Sequence, residues 1–375
     1  MESHKFWDTQ PILKPNDKFT RDGPIDKNLS PDQTQKELPA DFEWVSLSLE
    51  NVDKIADFLD KYYVEDPNHE FRLHYSPELL KWIYDKSNYK IVGVNVKKNN
   101  VLVGLICGKI TKIQANKNIL DMVEINFLCI HPKLRGKRLA PILIKEITRQ
   151  FVSEGFHYAH YTNGNSLPTP IYNSKYYHRL LNIKKLAEVD FYRLEGNLTV
   201  EEIEKTHKLP DSFTIPNFVK IEERHLDQLF ERFNEYMEKY NYHPIFTKEE
   251  MAHIFLNNNF VVCYVVEDDN GNVIDFISYY VLESRVLKSE KWQFIKKGYL
   301  YYYTCLGETS FKLIKNILIA AKNNEIDVMN ALDIMENGCI FDELRFGMGN
   351  GSLYYYLYNW RIRPLKNIQI ATILL

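Results

Sequence analysis

The chain has 375 residues, 45% hydrophobic, 14% aromatic and 26% charged, and its 47 basic and 50 acidic side chains give a formal charge of -3. That length fits two domains or one large duplicated unit. The apolar fraction excludes a disordered chain, and the near-neutral balance excludes the strongly basic surface typical of nucleic-acid-binding domains.

In chain order, Pro11, Pro15, Pro24, Pro31 and Pro39 punctuate residues 1–45, where little regular structure is expected. Phe6, Trp7 and Ile12 are nevertheless too apolar for a solvated tail, so this segment reads as an extended arm docking on the body. Met1-Glu2-Ser3-His4-Lys5 lacks a signal-peptide pattern. Apolar residues at Ile55, Phe58, Leu59 and Tyr62 share one helix face. Ser76-Pro77-Glu78 supplies an N-cap, a proline at the first helical position and an early carboxylate for a second helix. Ile91–Val96 and Val101–Ile106 read as a hairpin around a polar turn. Met122–Leu128 is a third strand, followed by a basic turn, an amphipathic helix from Pro141 to Phe151 and a strand over His157–Thr162.

Later the same order recurs. Phe260–Val266 and Val273–Val281 flank a turn containing Asn270-Gly271. Tyr299–Tyr303, a helix over Phe311–Lys322 and a strand over Asp327–Leu332 follow. Hairpin, strand, helix, strand therefore appears twice, offset by ~170 residues, which suggests an internal duplication, although such runs are common in α/β proteins. The expected division is an arm over 1–45, a first half over 46–205 and a second half over 206–375.

No apolar run approaches the roughly 20 residues that span a bilayer, so stable membrane insertion is not expected. Cys107, Cys129, Cys263, Cys305 and Cys339 form no C-x-x-C pair, which fits a reducing, cytoplasmic setting. His157 and His160 form a short pair, but no carboxylate spacing completes a metal site. Gly104–Thr111 is one residue short of a phosphate loop and reads as a strand.

The most informative stretch is Val123–Pro141. A strand ends in a short loop carrying Lys133, Arg135, Lys137 and Arg138, and a helix begins at once. Main-chain N–H groups at a helix start, with guanidinium and ammonium groups beside them, can hold a pyrophosphate. A solvated basic loop is the alternative reading of the same charges.

A strand, an R-x-x-x-x-A turn from Arg135 to Ala140 and a helix resemble the coenzyme-A-binding element of the GNAT acyltransferase superfamily. With Arg138 where the superfamily turn often has glycine, Val123–Pro141 is closely similar to the signature of eukaryotic N-myristoyltransferases. The likeness extends along the chain through Phe6–Pro11, Tyr63–Asp66, Phe71-Arg72, Tyr75-Ser76, Tyr161-Thr162, Leu167-Pro168, Tyr176, His178-Arg179, Asn330–Asp333, Met335–Asn337 and Phe346–Trp360.

The resemblance implies an α/β mixed sheet: a tandem duplicated GNAT-like acyltransferase fold forming one compact, two-lobed unit with pseudo-twofold symmetry. The implied reaction moves a tetradecanoyl group from myristoyl-CoA to the amine of an N-terminal glycine, with no prosthetic group, no metal and no nucleic-acid partner, by a monomer. Main-chain amides at Phe127 and Leu128 match the family's oxyanion donors. The α-carboxylate of Leu375 matches its base, and Asn126 and Thr162 match residues that hold the incoming amine. The apolar ending Ile368–Leu375 suits a tail threaded into the core; a final edge strand is the other reading.

Acyl-CoA contacts carry over to Lys5, Phe6, Trp7, Leu128, Cys129, Ile130, Arg135, Gly136, Arg138, Leu139 and Ala140. Peptide contacts carry over to Tyr63, Asp66, Phe71, Arg72, Tyr75, His178, Ser278, Tyr299, Asn330, Gly351 and Leu353. Two departures from the family pattern remove negative charge: Pro67-Asn68 interrupts the acidic loop, and Asn350 stands where aspartate is frequent. A weaker preference for lysine downstream of the glycine is therefore expected. A GNAT acetyltransferase acting on an amine and an inactive peptide-binding relative remain the alternatives.

Overall fold

Apolar strands need partners on both edges, and the computed structural model shows where these find them; it describes residues 5–31, 34–65, 68–194, 196, 198–256 and 258–375. The arm supplies β1 (Gly23–Pro24). The first half runs β2 (Phe42–Leu47), α1 (Val52–Tyr62), β3 (Phe71–His74), α2 (Pro77–Tyr84), β4 (Tyr89–Val96), β5 (Val101–Ala115), β6 (Asn118–Ile130), α3 (Leu139–Ser153), β7 (Ala159–Asn163), β8 (Tyr172–Leu180), α4 (Ile183–Glu188) and α5 (Val200–Thr206). The second runs β9 (Phe218–Lys220), α6 (Leu226–Met237), β10 (Tyr242–Pro244), α7 (Lys248–Phe255), β11 (Val261–Glu267), β12 (Val273–Val286), β13 (Phe294–Tyr303), α8 (Ser310–Asn323), β14 (Val328–Leu332), β15 (Gly347–Tyr358) and β16 (Trp360–Arg361).

One sheet follows the path β2-β4-β5-β6-β7-β15-β8-β14-β13-β12-β11-β9. Read inward from either end, it has one plan. Antiparallel β2-β4-β5-β6 is followed by parallel β7, and antiparallel β9-β11-β12-β13 by parallel β14. Helices α3 and α8 make the two crossovers, as parallel neighbours require. This is the tandem GNAT-like arrangement with a pseudo-twofold axis through the centre.

The lobes exchange strands. β8 of the first half pairs with β14, and β15 of the second pairs with β7. β10 pairs with the far end of β5, at Ile113–Ala115, and β3 pairs with the far end of β12, at Glu283–Val286. That exchange explains why β5 and β12 run past the expected ends at Ile106 and Val281: their extensions receive a strand from the other lobe.

Helix faces follow the sequence periodicity. Ile55, Phe58 and Leu59 of α1, Leu143, Ile147 and Phe151 of α3, and Leu313, Ile314, Ile317 and Leu318 of α8 are buried, each side chain contributing about 1.5–3 kcal/mol of transfer free energy. α3 starts two residues before the expected Pro141, because a proline in the first turn needs no N–H partner. Gly104 lets that helix approach β5: an added Cβ would sit 3.1 Å from Leu139 and 3.2 Å from Leu143.

The arm is tied down. Trp7 and Ile12 are buried, β1 pairs with β16, and the Asn359 side chain bonds both the N–H and the carbonyl of Asp26. Among the described residues no helix is long and apolar enough to cross a membrane.

Candidate active site

β6 and β7 are paired only at Val123↔Ala159, Glu124↔His160 and Ile125↔Tyr161. Beyond this they part: Thr162 and Asn163 keep their β15 partners on the far edge of β7 but have none on β6. Asn126 and Thr162, the residues after the last pair, therefore flank the mouth of the opening. On the other edge of β6, Cys107 faces Asn126 and Leu105 faces Cys129, so Phe127 and Leu128 together oppose Ile106. Such a bulge takes main-chain groups out of the regular ladder.

Phe127 has a φ of +54°, which costs a non-glycine residue about 1–3 kcal/mol. Its ring is 2% exposed and packed by Tyr75 at 4.8 Å and Tyr63 at 5.6 Å between centroids. Burial of that ring holds the strained backbone in place. Burial pushes the pKa of the Tyr63 phenol up. Leu128, by contrast, is exposed.

After β6 comes a short turn over Pro132–Leu134. Arg135 does not project from it: its guanidinium donates to the carbonyls of Ile130 at 3.1 Å and Tyr62 at 2.7 Å, bracing the loop against the end of α1. Gly136 has a φ of +74° and open space around it. Arg138, at +64°, is the N-cap of α3 without any side-chain cap bond. Lys133, Lys137 and Arg138 are exposed beside the uncapped first turn, a cradle for an anion. Cys129 is buried, and desolvation pushes its thiol up to about 12, so it stays protonated.

The corresponding loop before α8 is closed. Buried Asp275 on β12 accepts from Thr304 Oγ1 at 2.8 Å and from the amides of Leu306 at 2.6 Å, Gly307 at 2.9 Å and Glu308 at 2.7 Å.

The last residues are threaded inward and form no edge strand. Ile370, Ala371, Thr372 and Ile373 are buried. The Ala371 amide donates to the Tyr242 carbonyl at 2.8 Å and the Ile373 amide to the Tyr302 hydroxyl at 3.2 Å. Leu374 and Leu375 line a cavity of about 40 Å³ with Tyr75, Leu79, Trp82 and Tyr280. The main-chain oxygen of Leu375 accepts from Asn126 Nδ2 at 2.6 Å, at the mouth of the parted strands. Nearby, His160 places Nε2 3.1 Å from Thr111 Oγ1 and Nδ1 3.0 Å from the Tyr242 hydroxyl. Burial lowers its pKa to about 4, so it is neutral, with both ring nitrogens engaged by protein.

Tyrosines cluster beside this cavity. Tyr280 and Tyr299 stack at 4.8 Å. Asn330 lies opposite both His178 and Tyr299 on neighbouring strands, and its Oδ1 is 2.6 Å from His178 Nδ1. Burial lowers the pKa of His178, and the bond to Asn330 opposes that. At Gly349 in β15 an added Cβ would come within 2.2 Å of His178 Nε2, so only glycine lets this strand pass over the histidine.

Comparison with known proteins agrees with this geometry. The N-terminal-domain model of Myristoyl-CoA:protein N-myristoyltransferase matches residues 24–174, and the C-terminal-domain model matches residues 188–372. The chain belongs to this family. Glycylpeptide N-tetradecanoyltransferase of Drosophila melanogaster is 38% identical over 380 residues, covering 99% of this chain and 80% of the relative. The Plasmodium falciparum protein of that name is 38% identical over 383 residues, covering 99% and 93%. A crystal structure of Saccharomyces cerevisiae N-myristoyltransferase with bound myristoyl-CoA superposes with a TM-score of 0.93 at 33% identity, covering 100% of both chains.

Within this N-myristoyltransferase fold, the residues singled out from sequence fall into two groups. Asn126, Phe127, Leu128, Thr162 and Leu375 converge on the parted strands, with Cys129 and Ile130 following on β6, and Leu139 and Ala140 opening α3. Trp7 stacks on Tyr161 at 5.7 Å, next to Thr162, with Phe6 edge-on to it, while Lys5 is exposed. Tyr63 packs on Tyr75 at 5.9 Å, His178, Asn330 and Tyr299 stand side by side on β8, β14 and β13, and Gly351 and Leu353 lie on β15.

The others make contacts elsewhere in the protein. Ser278 is fully buried with its hydroxyl on the Tyr302 carbonyl at 2.8 Å. Phe71 is buried in a side cluster with Leu180, Ile183 and Val286. Arg72 is held by Glu65 at 2.6 Å and by the Asp60 carbonyl at 2.8 Å. Asp66 lies outside the described residues. Sequence reasoning missed Tyr280 and Glu124; the second had a visible signal, since Glu124 and Asn126 put two polar groups on one face of an otherwise apolar strand.

Proposed function

We propose that this protein transfers a tetradecanoyl group from myristoyl-CoA to the α-amine of an N-terminal glycine, and that residues 46–205 carry the acyl donor while 206–375 hold most of the peptide. The observation that carries this reading is the meeting of Leu375 with Asn126 beside the Phe127–Leu128 bulge. Amine attack on a thioester makes a tetrahedral oxyanion, and fixed main-chain amides suit it because they need no reorganisation as charge appears. Those of Phe127 and Leu128 are the donors in this scheme. The amine forms its bond to the acyl carbon, the carbon–sulfur bond breaks, and coenzyme A leaves as the thiol.

Before attack the glycine ammonium must lose a proton. An α-ammonium titrates near 7.7–8.0 and an α-carboxylate near 3.3–3.7 in water, a gap of roughly four units. Desolvation narrows it from both sides, raising the carboxylate and lowering the ammonium. A carboxylate on Leu375, held by Asn126 on a tail bonded to the core, is the acceptor in this reading, and Thr162 holds the amine from the opposite strand. The exposed Lys133, Lys137 and Arg138 beside α3 meet the phosphates of the donor.

The test is mass spectrometry of a glycine-initiated peptide incubated with myristoyl-CoA. Acyl addition at the terminal amine is expected. Deleting Leu375 abolishes turnover while leaving donor affinity within about threefold. An acetyltransferase would instead bind acetyl-CoA as tightly as the long-chain donor; at ~0.8 kcal/mol per buried CH₂, preference for tetradecanoyl by orders of magnitude is expected.

A further inference from the structure

Glu124 is 6% exposed and has no place in the mechanism so far. Its Oε1 accepts from Asn126 Nδ2 at 2.7 Å, and that nitrogen also donates to the Leu375 main-chain oxygen at 2.6 Å. Across the strand pair, Lys109 faces Glu124 in register and brings its Nζ to 3.3 Å from the same Oε1. Neutral His160, opposite Glu124 on β7, supplies no counter-charge.

An asparagine amide has a donor end and an acceptor end. An ionised glutamate and a main-chain oxygen only accept. Asn126 can satisfy both in one orientation alone, with each Nδ2 hydrogen assigned to one of them. Turned over, it would set Oδ1 against two oxygens. In the observed orientation Oδ1 has no protein donor among the described residues and remains an acceptor at the mouth of the parted strands.

We propose that Glu124 is a positioning residue for acyl transfer: it fixes the Asn126 amide so that Nδ2 holds the Leu375 oxygen and Oδ1 accepts from the incoming glycine ammonium. This rests on the reading of Leu375 and Asn126 given above and adds a residue behind them. Lys109 keeps the Glu124 charge compensated in an otherwise apolar interior.

A merely structural role for the Lys109–Glu124 pair would affect stability, not the rate of the chemical step. The test measures single-turnover acyl transfer, myristoyl-CoA affinity and melting temperature for Glu124→Ala, Glu124→Gln, Asn126→Ala and both double variants. Glu124→Ala is expected to slow transfer at least about tenfold with donor affinity changed less than about threefold. Glu124→Gln, whose amide oxygen still accepts from Asn126, recovers part of the rate and keeps the test open should Glu124→Ala fail to fold. In the Asn126→Ala background either change adds less than about twofold, because the effect passes through Asn126. Losses that multiply, or a Glu124→Ala enzyme at the wild-type rate, overturn the proposal. If Asn126→Ala and deletion of Leu375 also leave the rate intact, the base assignment falls with it; if those two slow the reaction and Glu124→Ala does not, the positioning role alone falls.

Discussion

At the scale of single residues, the site is governed by burial setting charge. His160 shows it most directly. Desolvation lowers its pKa from 6.5 to about 4, so above pH 6.5 it is neutral folded or unfolded and its environment costs nothing. As pH falls from 6.5 to 4 the unfolded chain takes up a proton that the folded one refuses, and about 3 kcal/mol of stability is lost. Unfolding free energies at pH 7 and 4.5 should therefore differ less in His160→Gln than in the parent. Two acidic side chains, Asp60 and Glu65, tell a related story. Asp60 lies between His74 at 2.8 Å and Arg285 at 3.1 Å, and Glu65 is taken by Arg72. These partners hold both carboxyls below the usual range, against the burial that pushes them up. With that charge already neutralised, peptides carrying lysine or alanine at the seventh position are expected to differ in kcat/KM by no more than about fivefold; a strong lysine requirement would refute this.

At the scale of elements, much was legible because polar and apolar residues keep strict periods. The helix over Ile55–Tyr62, the Ser76 cap, the β4–β5 turn and the basic loop after β6 all follow from residues within a few positions of one another. The opening between β6 and β7 does not. It lies where β7 runs on along β15 while β6 diverges, and β15 lies almost two hundred residues further on, a distance local patterns cannot span. The bulge at Phe127 was equally hidden, since a phenylalanine at positive φ is disfavoured locally and persists only through rings supplied by the segments just before α2 and just after α1. Ser278 and Arg72 are singled out by likeness alone, and nothing near them in sequence signals the bonds they make to the Tyr302 carbonyl and to Glu65. Asp275 gave no signal beyond an aspartate in a strand. It now carries a prediction: Asp275→Ala takes the acceptor from the buried Thr304 hydroxyl and from the amides of Leu306, Gly307 and Glu308, and should cost about 2 kcal/mol in urea denaturation.

At the scale of the whole molecule, the exchange of β3, β8, β10 and β15 makes each lobe incomplete alone. Residues 46–205 without the rest would expose the far end of β5 and both edges of β8, and 206–375 alone would expose β14 and the end of β12. Open strand edges of this length aggregate. Separately expressed halves are therefore expected to be insoluble and to become soluble on co-expression, and the intact chain to unfold in one transition by fluorescence and circular dichroism alike. The duplicated pattern was visible in sequence as a repeat offset by ~170 residues, but repetition alone cannot say whether two units stand side by side or interlock.

The two crossover loops share a plan and differ in one seated charge. Before α3 the amides stand open among lysines and arginines; before α8 a carboxylate from the neighbouring strand has already answered them. A diphosphate arriving at the second loop would meet an anion in residence, repelled where the first loop attracts. Under the proposed assignment a doubled architecture thereby stays single-headed, and the lobe relieved of carrying a donor is free to devote its surface to the acceptor.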